Sequence, residues 1–166
     1  MEKSLWVLRH ATAEYGSYSL PDFDRSLTPQ GEQEAKRVGA HLASQGVLID
    51  AVIASPARRT TQTTKALLDA LALDATLVTW DKNIYEASVQ TLCNIVVSIS
   101  ENVDNVLLVG HNPGLEILIG EAVGQIAGQS VFLRPASCVN VLFPSSWGDM
   151  MAGSGRISDV FHVADL

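Results

Sequence analysis

The sequence predicts an α/β fold: a three-layer α/β/α sandwich on a mostly parallel sheet, with a C-terminal antiparallel hairpin at the sheet edge. Two observations carry this. Along residues 4–124, short apolar runs alternate with amphipathic helical patterns, the rhythm of a right-handed parallel sheet with crossover helices. Beyond residue 136 the rhythm changes, and 137–143 and 156–163 read as two strands joined by 144–155 with no crossover between them.

Taken in order, the run Leu5-Trp6-Val7-Leu8 places a strand at about 4–9 that ends on the pair Arg9-His10. A polar loop spans Glu14 to Ser26. Thr28-Pro29 starts a helix to about Ser44, with Ala35, Val38 and Leu42 on its inner face and Gly46 as its stop. A strand at 51–54 runs into Ser55-Pro56, which reads as an N-cap and first-turn proline opening a helix over 57–71. Then come strand 75–80, helix 88–101, strand 105–109 and helix 113–124. Pro113 is placed to start the last helix, and Leu115, Leu118, Ile119 and Ala122 follow at helical spacing. There is no internal repeat or low-complexity tract, so residues 1–166 are expected to form a single domain with a sizeable core.

Global features narrow the function classes. A net charge of −7 without a basic stripe argues against a nucleic-acid partner. No run approaches the ~20 apolar residues of a membrane span, and Leu5 to Leu8 is too short for a signal-peptide core. Cys93 and Cys138 lie in apolar stretches and read as small core residues rather than a disulfide, which fits a reducing, cytoplasmic location. Two isolated cysteines do not make a metal site. A monomer is expected.

The chemistry sits at three strand-to-helix junctions. The first carries Arg9 and His10: a guanidinium can grip an oxyanion in a fork, and an imidazole can attack phosphorus. The second is Ser55-Pro56-Ala57-Arg58-Arg59-Thr60-Thr61-Gln62-Thr63. Arg59 shares a helix face with Gln62, Thr63 and Ala66 and is expected to point into a site near the helix start, where the dipole favours anions. Arg58 shares the more polar face and is expected in water. The third is Gly110-His111-Asn112-Pro113-Gly114. If the strands are parallel, all three junctions open on one sheet edge, and two arginines and two histidines converge.

These residues resemble a known family. LRHA at Leu8–Ala11, SPxxRxxQT at Ser55–Thr63 and GHNP at Gly110–Pro113 resemble the histidine phosphatase superfamily, with its phosphoglycerate-mutase-like fold, and most of all its small SixA-type phosphohistidine phosphatases. DRSLTPQG at Asp24–Gly31 resembles the family segment before its first helix. The resemblance implies that His10 is the nucleophile and forms a phosphohistidine intermediate. It implies that Arg9 and Arg59 bind the phosphoryl oxygens and that His111 completes the pocket, with no metal and no organic cofactor. The residues themselves agree, since four potential positive charges can stabilise a transferring phosphoryl group as Mg²⁺ does elsewhere.

The chain departs from the family in having Ala11 where glycine is common. Glu86, in Asn83-Ile84-Tyr85-Glu86-Ala87-Ser88, stands by position as a candidate general acid, with Glu14 a weaker second, although SixA-type members do not reliably keep such a residue. Arg25 is a further candidate phosphate ligand, or else a loop residue held by Asp24. His41 reads as structural, His162 as a strand residue, Asn112 as a residue fixing its turn, and Ser137 as a faint candidate for the site lining.

Short connections leave no obvious lid insertion. A shallow, open pocket favours phosphohistidine on a protein, such as a phosphotransfer domain, over a small phosphorylated metabolite. Two alternatives stay open at this point: a small-molecule phosphatase or mutase using the same residues, and a non-catalytic phospho-binding module.

Overall fold

The computed structural model describes residues 1–125 and 131–166. Its centre is a six-stranded sheet of β1 (Lys3–Arg9), β2 (Ala51–Ala54), β3 (Val78–Trp80), β4 (Asn105–Gly110), β5 (Ser137–Phe143) and β6 (Arg156–His162), in the order β3-β2-β4-β1-β5-β6. The first four strands run parallel. β5 runs antiparallel to both β1 and β6, which makes the C-terminal pair the edge hairpin that the sequence predicts. The helices are α1 (Pro29–Ser44), α2 (Arg58–Leu71), α3 (Val89–Val97), α4 (Gly114–Ala122) and the short α5 (Asp149–Ala152).

Alternation of side chains across the pleat divides the core into two layers. Leu5, Val7, Val106, Leu108, Val139 and Val141 pack with Leu92, Val96, Leu115, Leu118 and Met150 of α3, α4 and α5. Leu8, Val52, Ala54, Leu107, Val109 and Cys138 pack with Ala35, Val38, Leu42 and Leu67 of α1 and α2. β1 and β4 are thus apolar on both faces, as a sheet covered on both sides requires. No helix among the described residues is long and apolar enough to cross a membrane.

Several boundaries differ from the sequence expectation, each for a local reason. Residues 75–77 form a 3₁₀ turn, not strand, because the Asp74 side chain accepts from Thr76 N at 2.8 Å, and β3 keeps only three residues. α3 stops at Val97, where Ser98 donates its hydroxyl to Asn94 O at 2.7 Å. The 144–155 connection contains α5, whose first turn is held by Asp149 accepting from Ser145 N and Ser146 N. α2 begins at Arg58, with Ala57 in the cap position, so Ser55-Pro56 precede the helix. α4 begins at Gly114, one residue past Pro113.

The topology prepares a crevice. Arg9 at the end of β1 is paired with Gly110 at the end of β4. The helices that follow these strands leave for opposite layers, α1 with α2 and α4 with α3. In open α/β sheets, ligands bind outside the strand ends where connections diverge in this way.

Candidate active site

Local hydrogen bonds explain why the motifs are spaced as they are. The Thr28 hydroxyl caps α1 by accepting from Gly31 N at 2.9 Å, and Thr28 N donates to Thr12 O at 3.0 Å. Gly31 lies so close to that carbonyl that an added Cβ would stand 2.0 Å from Thr12 O, so only glycine fits. The turn after His10 is thereby fixed to the start of α1. It is also fixed to α2: Ala11 N donates to Thr63 Oγ1 at 3.1 Å, and Leu27 N to Gln62 Oε1 at 2.7 Å. The Gln-Thr of the second motif therefore holds the loop that follows His10.

His10 is buried, and its Nδ1 lies 2.7 Å from the Ala11 carbonyl. A carbonyl can only accept, so Nδ1 carries the proton and Nε2 is left with a lone pair. Arg59 Nε donates to that Nε2 at 3.3 Å. Arg59 is buried as expected and Arg58 is exposed. The His111 ring stands 5.4 Å from that of His10, centroid to centroid, and its Nε2 shares a 2.8 Å hydrogen bond with Ser55 Oγ. Arg9 donates from NH1 to Leu133 O at 2.8 Å. Asn112 donates to the same carbonyl and to Glu116 Oε1, which ties its turn to the Leu133 segment and to α4, and Glu116 Oε1 also accepts Leu133 N.

Among the described residues, three polar atoms here are buried without a partner: Arg9 Nε, His111 Nδ1 and Asn112 Oδ1. Such atoms are rare in folded proteins and invite a ligand. A cavity of about 350 Å³ is lined by Arg9, His10, Arg25, Arg59 and His111, among others. A larger cavity of about 510 Å³ shares Arg25, Arg59, His111 and Asn112 with it and adds Asp22, Tyr85 and Glu86. The structure thus brings Arg9, His10, Arg25, Arg59 and His111 to one place, with Glu86 exposed at the neighbouring cavity.

Two expectations are corrected. Arg25 is held by Asp22, not Asp24: its Nε donates to Asp22 Oδ1 at 2.9 Å, and its NH1 to Glu14 O at 2.8 Å. Ser137 is absent from both cavity linings and bonds His162 Nδ1, the strand-end residue, while His41 packs edge-on against Phe161. The sequence reading missed Asp22, Tyr85 and the role of Ser55. Arg59 donates to the Asp22 carbonyl at 2.8 Å and to its carboxylate at 3.1 Å. Tyr85 donates its hydroxyl to Asp22 Oδ2 at 2.5 Å, and the Arg59 guanidinium lies 5.8 Å from the Tyr85 ring centroid.

Electrostatics keep both imidazoles neutral. Burial pushes His10 down to about 4, with the Arg59, Arg9 and Arg25 charges adding to it. Burial likewise pushes His111 down to about 3, helped by His10 and Arg59. Both values lie below the ordinary 6.5, so the folded state resists protonation that the unfolded chain accepts. The associated stability is present above pH 6.5 and is lost as pH falls toward 4 and then 3. The ring resonances of His10 and His111 are therefore expected to stay in the neutral form from pH 8 down to about 5 in a proton NMR titration of the ligand-free protein. Midpoints near 6.5 for both rings would contradict the burial argument.

A family model described as histidine phosphatase superfamily, branch 1, matches residues 5–95. The chain belongs to that superfamily. An uncharacterized protein of Mycobacterium tuberculosis is 30% identical over 163 residues, covering 94% of this chain and 99% of that one. An uncharacterized chloroplastic protein of Arabidopsis thaliana is 30% identical over 164 residues, covering 93% of this chain and 73% of its own. Among solved structures, a protein of Agrobacterium tumefaciens that bears the name SixA superposes with a TM-score of 0.81 at 26% identity, covering 96% of this chain and 97% of that one. A protein histidine phosphatase SixA solved with tungstate superposes with a TM-score of 0.83 over 98% of each chain; at 21% identity that likeness speaks to the fold alone. The histidine phosphatase membership and the SixA-like architecture make this chain a phosphatase of phosphoglycerate-mutase-like fold.

Proposed function

We propose that the protein removes phosphate from phosphohistidine on a protein substrate, through a covalent phosphohistidine on His10. The observation that carries this reading is the pairing of a deprotonated, buried Nε2 on His10 with unpartnered Arg9 Nε and His111 Nδ1 in the residues around one cavity. In the first step His10 Nε2 forms a bond to phosphorus while the bond from phosphorus to the substrate nitrogen breaks, and that nitrogen takes up a proton. In the second, water attacks phosphorus, the bond to His10 breaks, and inorganic phosphate leaves. Arg9 and Arg59 hold the phosphoryl oxygens. With Ser55 donating to His111 Nε2, the His111 Nδ1–H is free for a third oxygen. Of the two carboxylates lining the larger cavity, Asp22 is held ionised and Glu86 is the acid available to the leaving group. A phosphoramidate nitrogen protonates readily and asks little of it.

A protein substrate is supported by the SixA-named structures and by Tyr15, which lines the 350 Å³ cavity and stands almost fully exposed, and by exposed Phe23, which packs edge-on against Tyr85 of the larger cavity. The buried free thiols of Cys93 and Cys138 support a reducing location, and phosphohistidine signalling in the cytoplasm is part of the same reading. A second reading, a small-molecule phosphatase, is favoured by the size of the adjoining 510 Å³ cavity and by a 33% identity over 66 residues with a broad-specificity phosphatase of Saccharomyces cerevisiae. The test is kcat/KM for a phosphorylated histidine phosphotransfer domain beside a panel of sugar phosphates and other phosphomonoesters. The protein substrate is expected to lead by at least about tenfold. A small ester in the lead selects the second reading.

A further inference from the structure

The cations of this site are already engaged in the ligand-free state. Arg59 uses Nε on His10 Nε2, NH1 on the Asp22 carbonyl and NH2 on Asp22 Oδ2. Arg25 uses Nε on Asp22 Oδ1. One exposed carboxylate therefore holds two of the site's three arginines, and its third contact is the Tyr85 hydroxyl. The Tyr85 hydrogen bond, with the Arg59 and Arg25 charges, holds Asp22 down to about 2, so it is an anion at any working pH and no proton donor. Its placement is one-sided. Asp22 lines the larger cavity but not the smaller one that His10 lines, whereas Arg59 lines both. The lone pair that must attack phosphorus is meanwhile covered by Arg59 Nε–H.

We propose that Asp22 is a resident counter-anion that competes with the phosphoryl group for Arg59 and Arg25 and so sets the affinity of the site for phosphate. It is a positioning residue that acts through the two guanidiniums. The inference rests on the reading of Arg59 as a phosphoryl ligand. A phosphoryl group approaching His10 in line has to take the place of the Arg59 Nε–H contact and draw the guanidinium fork off Asp22. A dianion can do so because it carries more charge than the carboxylate it displaces. Once inorganic phosphate is formed, the carboxylate recaptures both arginines and helps to release it. Asp22 makes no direct hydrogen bond to His10, Arg9 or His111, and it reaches His10 only through Arg59.

The test is calorimetric titration of the protein with inorganic phosphate, for wild type, Asp22→Asn, Tyr85→Phe and Arg59→Ala, alongside steady-state kinetics. Asp22→Asn keeps the shape and removes the charge. It is expected to tighten phosphate about tenfold, the effect of losing one charged competitor, with lower KM and stronger product inhibition. Tyr85→Phe, which takes away the hydroxyl that stabilises the Asp22 anion, is expected to shift in the same direction by a smaller factor. Damage to the fold or the site would weaken phosphate binding, so a gain in affinity is a signature that a structural role cannot give. Unchanged or weaker phosphate binding in Asp22→Asn, with binding lost in Arg59→Ala, overturns this inference and leaves the phosphatase reading intact. Wild-type phosphate binding in Arg59→Ala overturns the assignment of Arg59 and this inference with it.

Discussion

His10→Ala is expected to lose phosphoenzyme labelling completely and to lower turnover by about four or more orders of magnitude, as removal of a covalent nucleophile does elsewhere. The structure explains why no neighbour can substitute. His111 is the nearest second imidazole, with its ring 5.4 Å away, and its Nε2 is tied to Ser55. The His10 lone pair is set by the Ala11 carbonyl, which fixes the proton on Nδ1 at no cost in charge. The measurement is labelling by a phosphohistidine donor, with the product tested for the acid lability and base stability of an N–P bond. Label on wild type and none on His10→Ala establishes the covalent route and its nucleophile. Wild-type rates in His10→Ala would show that another group attacks.

The second large effect belongs to the arginines. Arg59→Ala and Arg9→Ala are each expected to lower kcat/KM by about 3–4 kcal/mol, some 10²–10³-fold, the range found when one preorganised donor to a developing oxyanion is removed. Arg9 is expected to show the effect mainly in kcat. Its NH1 is anchored on Leu133 O and its Nε is buried with no acceptor among the described residues, so it is preorganised for a group that arrives with the reaction. Burial also lowers the Arg9 pKa, a sign that its charge is held in a poorly solvated place. Arg59 is expected to affect KM as well, because it is also the partner of Asp22. A loss below about tenfold in both variants would show that the phosphoryl group is held elsewhere.

Much of this site was legible in the sequence because its main residues sit at punctuation. Arg9, His10 and His111 end apolar runs, and Arg59 follows a proline at the start of a helical period; such boundaries survive without knowledge of tertiary contacts. Asp22 and Tyr85 had no such signal. They lie at short 3₁₀ turns that no apolar period marks, and Asp22 stands 37 residues from Arg59 and 63 from Tyr85 in sequence. Adjacency in sequence points to Asp24 as the partner of Arg25, yet side chains three apart in a 3₁₀ turn meet more easily than neighbours, and Asp22 takes that place. Ser55 shows a different limit. Its serine-proline pair has the form of a helix start, but its hydroxyl faces His111, and α2 begins three residues later. Local rules give the right chemistry there and the wrong address.

The Thr12-to-Thr28 connection has one further consequence. Its base is sewn shut by the Ala13–Leu27 bridge, by Glu14 N on Ser26 O at 2.8 Å and by Thr28 N on Thr12 O. Beyond that seam lie Asp22, Arg25 and the exposed Tyr15, Tyr18 and Phe23, none of which hydrogen-bonds His10 directly; Asp22 reaches it only through Arg59. On the proposed reading the nucleophile belongs to the scaffold, while Asp22 and Arg25 ride on a separate loop. On that reading, exchanging this one short stretch of chain is expected to change what the site accepts while leaving the group that attacks phosphorus in place.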